Sequence, residues 1–255
     1  MPIEEIFRLE GDVAIVTGAG AGIGHSIATV FADAGAAVVV SDRDLNAAQA
    51  TADEICRAGG QAVAIACDVT DESSLQALVD CALSTWGKLS ILVNNAGGGG
   101  PKPFEMSMQE FEWAYKLNVY SAFRLSQLCA PHMADNGSGA IVNISSMAGE
   151  NCNSNMASYA SSKAAVNHLT RNIAFDLGAH GIRVNAIAPG AIRTHALSTV
   201  LTEEVEFQML KHTPLGRLGL PTDIAYAALF LASPASSWIS GQVLTVSGGG
   251  SQELE

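Results

Sequence analysis

The chain has 255 residues, 48% of them hydrophobic, with 25 glycines and a formal net charge of −12. This profile is too apolar for a disordered chain and too acidic to grip nucleic-acid phosphates, which takes a basic face. The length suffices for one domain with a large buried core.

The first residues, MPIEEIFRLEG, lack the basic region and apolar run of a signal peptide. Apolar runs such as Val38-Val39-Val40 are too short to cross a bilayer. Cys56, Cys67, Cys81, Cys129 and Cys152 are widely spaced, form no C-x-x-C pair and read as small hydrophobes. The expectation is a soluble, cytoplasmic protein without a membrane or nucleic-acid partner.

In chain order, short branched apolar runs at 13–17, 37–41, 62–66, 91–93, 140–144, 183–187 and 243–246 predict strands. Longer helical patterns lie between them, as at 22–34, 45–58, 73–86 and 158–177. Strands apolar on both faces are covered by helices on both sides, which implies a mostly parallel sheet. The alternation predicts an α/β, doubly wound Rossmann fold: one domain over 1–255, seven strands, helices on both faces.

The first strand runs into Thr17-Gly18-Ala19-Gly20-Ala21-Gly22-Ile23-Gly24, which opens the first helix. Glycines there let backbone approach a pyrophosphate, and the helix N-terminus faces the anion with free N–H groups. The second strand ends at Asp42, 18 residues past Gly24. A carboxylate at that place accepts hydrogen bonds from the ribose hydroxyls of NAD and repels the 2′-phosphate of NADP. Arg43 beside it is the one neighbour able to tolerate that phosphate. The same stretch mimics a calcium loop, Asp42-x-Asp44-x-Asn46 with Asp53 at the twelfth position, but Ala47 replaces the turn glycine. The six histidines form no ligand cluster, so no metal is expected. No glycines flank Ser145 or Ser146 as a hydrolase elbow requires.

Tyr159 and Lys163 are four apart in a helical stretch and share a face. At about 4 Å and an effective dielectric near 20, an ammonium favours phenolate by roughly 4 kcal/mol, or about three pKa units. Lys163 is therefore expected to bring the Tyr159 phenol towards the working range of a general acid/base. Taken alone, the pair also fits a core aromatic beside a solvated lysine. What favours chemistry is its company: Ser146 and Asn94-Asn95-Ala96-Gly97 each follow a strand, at the carboxyl edge where such sheets bind ligands.

These residues together resemble the short-chain dehydrogenases/reductases over nearly the whole chain. Thr17–Gly24 resembles the family's T-G-x-x-x-G-x-G turn and Asn94–Gly97 its N-N-A-G segment. The resemblance implies a catalytic tetrad of Asn118, Ser146, Tyr159 and Lys163. Tyr159 would exchange the proton with the substrate oxygen, and Ser146 would orient that oxygen. Lys163 would lower the phenol pKa and hold the nicotinamide ribose, and Asn118 would anchor a water that links Lys163 to solvent. NAD contacts are implied at Gly18, Ala21, Gly22, Ile23, Gly24, Asp42, Arg43, Asp68, Val69, Asn95, Ala96, Gly97, Tyr159, Lys163, Pro189, Gly190, Ile192 and Thr194.

Within the family, the stretches 97–104 and 150–156 and the C-terminal 241–250 are most similar to bacterial enzymes acting on the 7α-hydroxyl of bile acids. That similarity implies a secondary-alcohol or ketone substrate, a bile acid, touching Gly99, Ser146, Asn151 and Tyr159. Polyols and 3-oxoacyl thioesters are the alternative substrates, and an NAD-binding sensor without turnover is the alternative from another class. Residues 191–213 are the expected substrate lid. Their apolar positions at helical spacing suit either a helix packed on its own domain or a greasy wall for a fused-ring substrate. The family resemblance also implies a homotetramer built on helices around 108–133 and 158–177 and on the last strand.

Overall fold

The computed structural model describes residues 2–152, 154–194, 197, 199 and 201–250. Seven strands form one sheet: β1 (Val13–Thr17), β2 (Ala37–Asp42), β3 (Gln61–Ala66), β4 (Ile91–Asn94), β5 (Gly139–Ile144), β6 (Ile182–Pro189) and β7 (Val243–Val246). Their order is β3-β2-β1-β4-β5-β6-β7. Every pairing between these strands is parallel, so the expected "mostly parallel" sheet is wholly so. The strand at 183–187 proves longer, because Ile182 pairs with Gly139 at one end and Pro189 with Val246 at the other.

Alternation of side chains along each strand sends successive residues to opposite faces. Ala14, Val16, Val38, Val40 and Val142 pack beneath α1 (Gly22–Asp33), α2 (Leu45–Arg57) and a C-terminal helix spanning Pro221–Ala232. Val13, Ile15, Val39, Leu92, Ile141 and Val184 pack on the other face against α3 (Glu72–Trp86) and two later helices. Those helices are α5 (Ser121–Asp135) and α6 (Ala157–Leu177). Before α5, α4 (Met108–Tyr115) starts from a Ser107–Glu110 capping box and runs into a π-helical segment, Lys116–Tyr120. Next come α7 (Glu203–Lys211) and α8, the Pro221–Ala232 helix already met.

Winding reverses at β1 and β4, which are neighbours although β2 and β3 intervene in sequence. Beyond the carboxyl ends of these strands the connections diverge to opposite faces and leave a crevice, where open α/β sheets bind ligands.

Candidate active site

The crevice is a cleft of about 840 Å³, lined by the first helix's start and by loops after β4, β5 and β6. At its floor the glycine turn follows local steric demands. Gly18 and Gly22 have φ of +62° and +60°, where side chains are strained. A Cβ on Gly24 would lie 2.2 Å from the Gly18 carbonyl oxygen, so only glycine lets α1 seat so tightly on the turn. The N-cap of α1, Ala21, offers no side-chain acceptor, so the helix's first N–H groups remain directed at the cleft. This arrangement fits a pyrophosphate.

Asp42 stands beside the turn. Its carboxylate accepts from the Gly20 N–H at 3.0 Å and the Asp44 N–H at 3.1 Å. An ionised carboxylate has about four lone-pair sites, so two remain for the hydroxyls of a ribose. Bonds to a charged acceptor are worth about 1.5–3 kcal/mol. Asp42→Ala is therefore expected to lower the ratio of kcat/KM with NAD to that with NADP by about ten- to hundredfold. An unchanged ratio would remove the ribose role.

The chemical cluster sits across the cleft. Ser146 follows β5, where its Oγ accepts from the Ala148 N–H at 3.1 Å and starts a short 3-10 turn. The same hydroxyl hydrogen-bonds the Tyr159 phenol. One turn along α6, Lys163 is buried, with Nζ donating to the Ile144 carbonyl at 2.9 Å and lying 5.8 Å from the Tyr159 ring centre. Asn118, in the π-helical segment, donates to Gly98 O (2.9 Å) and Ser162 Oγ (3.0 Å) and accepts from Gly98 N (3.0 Å). A Cβ on Gly97 would lie 2.8 Å from Asn118 Oδ1 and 3.1 Å from Lys163 Nζ, so glycine lets all three meet.

A family model described as Enoyl-(Acyl carrier protein) reductase matches residues 18–251. The chain is 65% identical over 247 residues to the 7α-hydroxysteroid dehydrogenase of Escherichia coli strain K12, covering 97% of each chain. A solved 7α-hydroxysteroid dehydrogenase, complexed with NADH and 7-oxo glycochenodeoxycholic acid, superposes with a TM-score of 0.97 at 63% identity over 100% of both chains. A short-chain type dehydrogenase/reductase from Mycobacterium marinum gives 0.92 at 37% identity, over 97% of this chain and 98% of its own. This chain belongs to the short-chain dehydrogenase/reductase family.

The electrostatics around Tyr159 decide what its phenol can do. Burial raises the Tyr159 phenol above its usual value, and the Ser146 hydrogen bond partly opposes this. The expected lowering by Lys163 is therefore not what the protein alone provides. The ammonium is committed to the Ile144 carbonyl, and burial brings Lys163 itself down to about 8. A lysine so depressed is half-neutral near pH 8 and ready to exchange protons.

Most residues implied by the family resemblance converge here. Ala21, Gly22, Ile23, Asn95, Gly97, Gly99, Ser146, Tyr159, Lys163, Pro189, Gly190, Ile192 and Thr194 all line the one cleft. Asn95, however, spends its amide internally: Nδ2 donates to Thr17 O at 2.8 Å and Gly18 O at 3.1 Å, tying β4's exit to the turn. The Ala96 N–H is likewise held by Thr17 Oγ1. Asp68 and Val69 follow β3 at the same sheet edge as Asp42, with Asp68 Oδ1 accepting from both the N–H and the hydroxyl of Thr70. Arg43 is exposed beside Asp42. Asn151 lies in an adjoining groove of about 680 Å³ with Met147, Glu150 and residues 245–250. Its Nδ2 is buried without a partner among the described residues.

The stretches 97–104 and 150–156 and the expected lid bring Pro101, Met156 and Met209 to the cleft wall, and His212 joins Ser247 in a neighbouring lobe of about 220 Å³ that shares Ser146 and Tyr159; sequence reasoning had singled out none of the five as a contact. Of the lid, 195, 196, 198 and 200 lie outside the described residues. In α7 no side chain is buried, and Phe207 is 67% exposed. The reading of a helix packed on its own domain does not hold along α7, because Met209 turns into the cleft instead.

Proposed function

We propose that this protein is an NAD-dependent oxidoreductase that interconverts a secondary alcohol and its ketone, acting on the 7α-hydroxyl of a bile acid. The observation that carries this reading is the single cleft in which the glycine turn and Ser146, Tyr159 and Lys163 share one space. The 65% identity to a 7α-hydroxysteroid dehydrogenase supports the substrate.

In the oxidation direction, Ser146 and Tyr159 bind the substrate hydroxyl between them, and the Tyr159 phenolate takes its proton. Ser146 donates to the same oxygen and orients the carbon that loses hydride. When bound, NAD supplies the hydride acceptor and a positive charge that favours phenolate. Lys163 holds the ribose and passes the proton onward, a role suited to an amine brought to about 8. With its side-chain amide committed to Gly98 and Ser162, Asn118 fixes the loop that faces Lys163. In reduction, Tyr159 returns the proton to the ketone oxygen.

Met147, Met156 and Met209 line the lobe beyond Tyr159. Thioether side chains adapt to a rigid fused-ring body. The unpartnered Asn151 amide suits a polar group farther along that body. Gly99 touches the other side of the reacting centre: with φ at +142°, its missing Cβ would lie 2.5 Å from Tyr159 Cδ2.

We also propose a cytoplasmic homotetramer of one-domain subunits. No helix among the described residues is long and apolar enough to cross a membrane. Phe175 on α6 and Trp238 before β7 are 91% and 99% exposed, as large apolar groups are when a partner covers them.

The test is steady-state oxidation of 7α-hydroxy bile acids with NAD, beside polyols and 3-oxoacyl esters run in reduction. A kcat/KM for the bile acid in the usual enzyme range of about 10⁴–10⁸ M⁻¹s⁻¹, above the others, is expected. Absence of bile-acid turnover would remove the substrate assignment.

A further inference from the structure

Beyond β6 the chain walls the cleft with Gly190, Ala191, Ile192 and Thr194. This wall belongs to no regular element after Pro189. Gly190 N donates to Val246 O at 3.0 Å, and beyond it the wall is held by a short parallel bridge to a loop that does not reach the cleft. Gly219 N donates to Ala191 O at 2.9 Å, and Arg193 N donates to Gly219 O at 2.8 Å, bracketing Ile192. The approach is close: a Cβ on Gly219 would lie 2.4 Å from Ile192 Cδ1. Behind the wall, a space of about 190 Å³ separates Ala191 and Ile192 from the 246–248 backbone. Ile192 itself is buried in the core beneath the sheet, and beside that space the bridge to Gly219 is what ties the backbone on either side of it.

Gly219 is in turn held by an ion pair. Arg217 forks onto Asp223 with Nη1–Oδ2 of 2.7 Å and Nη2–Oδ1 of 2.9 Å. The same arginine donates to Leu218 O at 3.1 Å, and Asp223 Oδ2 accepts from Leu220 N at 2.7 Å. Both neighbours of Gly219 are thus tied to one planar pair, anchored in the first turn of α8.

We propose that Arg217 and Asp223 are positioning residues for the cofactor: through Gly219 they set the wall that shares its space with Ser146 and Tyr159, where the reacting nicotinamide end has to lie. This rests on the cofactor reading above and extends it to residues outside the cleft. The pair is half exposed, with side chains 53% and 32% accessible, and such surface pairs add little stability. Its effect is on placement, and a displacement of about 1 Å far from the chemistry can cost about a hundredfold in rate.

The experiment compares Arg217→Ala and Arg217→Lys with the unsubstituted protein, titrating NADH and, separately, ADP-ribose, which lacks the nicotinamide. For Arg217→Ala, NADH affinity should fall about tenfold while ADP-ribose affinity stays within about twofold, with kcat also reduced. Arg217→Lys should fall between, because an ammonium cannot reproduce the fork. A parallel loss of NADH and ADP-ribose binding, or no change in either, would overturn the positioning role. If the unsubstituted protein bound no NADH, the cofactor reading would fall and this inference with it.

Discussion

Tyr159→Phe is expected to remove turnover while leaving NADH affinity near that of the unsubstituted protein. Phenylalanine keeps the ring that packs at the edge of Gly99. It deletes the one atom that, in the proposed mechanism, would exchange a proton with the substrate oxygen, and with it the interaction with Ser146. A positioned acid/base contributes about 10²–10⁴-fold. The fall should therefore lie in kcat and be at least of that order, read from NADH formation. Activity within a few-fold of normal would rule out Tyr159 as the acid/base.

The second large effect is on stability as well as rate. Burial holds Lys163 at about 8 against an ordinary value of 10.5, a difference of about 2.5 and so a burden of about 3 kcal/mol at pH 7. Lys163→Met deletes that charge at similar volume but strips the Ile144 carbonyl of its Nζ–H donor. One unmade bond costs about 1 kcal/mol or more. The variant should lack activity yet be more stable by about 2 kcal/mol at pH 7 without cofactor.

The sign follows from proton binding. A lysine with a depressed folded-state pKa binds fewer protons folded than unfolded between about 8 and 10.5. Its burden is full below about 8 and vanishes as pH rises through that window. The gap between variant and parent should close within the same interval and reverse by about 1 kcal/mol above it, where only the lost bond to Ile144 remains. Thermal unfolding of both proteins across this range checks it, and a less stable variant at pH 7 would refute the account.

These two residues also mark how far the sequence could be read. Their helical spacing placed them on one face, and α6 bears this out. It did not foresee that the ammonium would bond Ile144, from another element, or be buried enough to shift its own pKa. Spacing along a helix specifies neighbours but not solvent exposure. The glycine turn was more legible, since its requirements at Gly18 and Gly22 are backbone dihedrals fixed within a few residues. Asn95 was legible as a position and not as a contact. Its amide goes to Thr17 and Gly18, nearly eighty residues earlier, where two strands adjacent in the sheet deliver their loops together.

Alternating apolar periods determined the strands and helices, and the glycine turn after β1 together with Asp42 at the end of β2 determined the cofactor chemistry. Each depends on interactions within one element or its immediate turn. Only the tertiary structure decided that all the strands are parallel, that Asn118 sits in a π-helical segment between Gly98 and Ser162, and that Met209 rather than Phe207 faces the cleft. It alone put Gly219 under Ile192 and Arg217 under that bridge. Such contacts depend on which surfaces the packed sheet brings together, and the local periodicity of the chain carries no record of that.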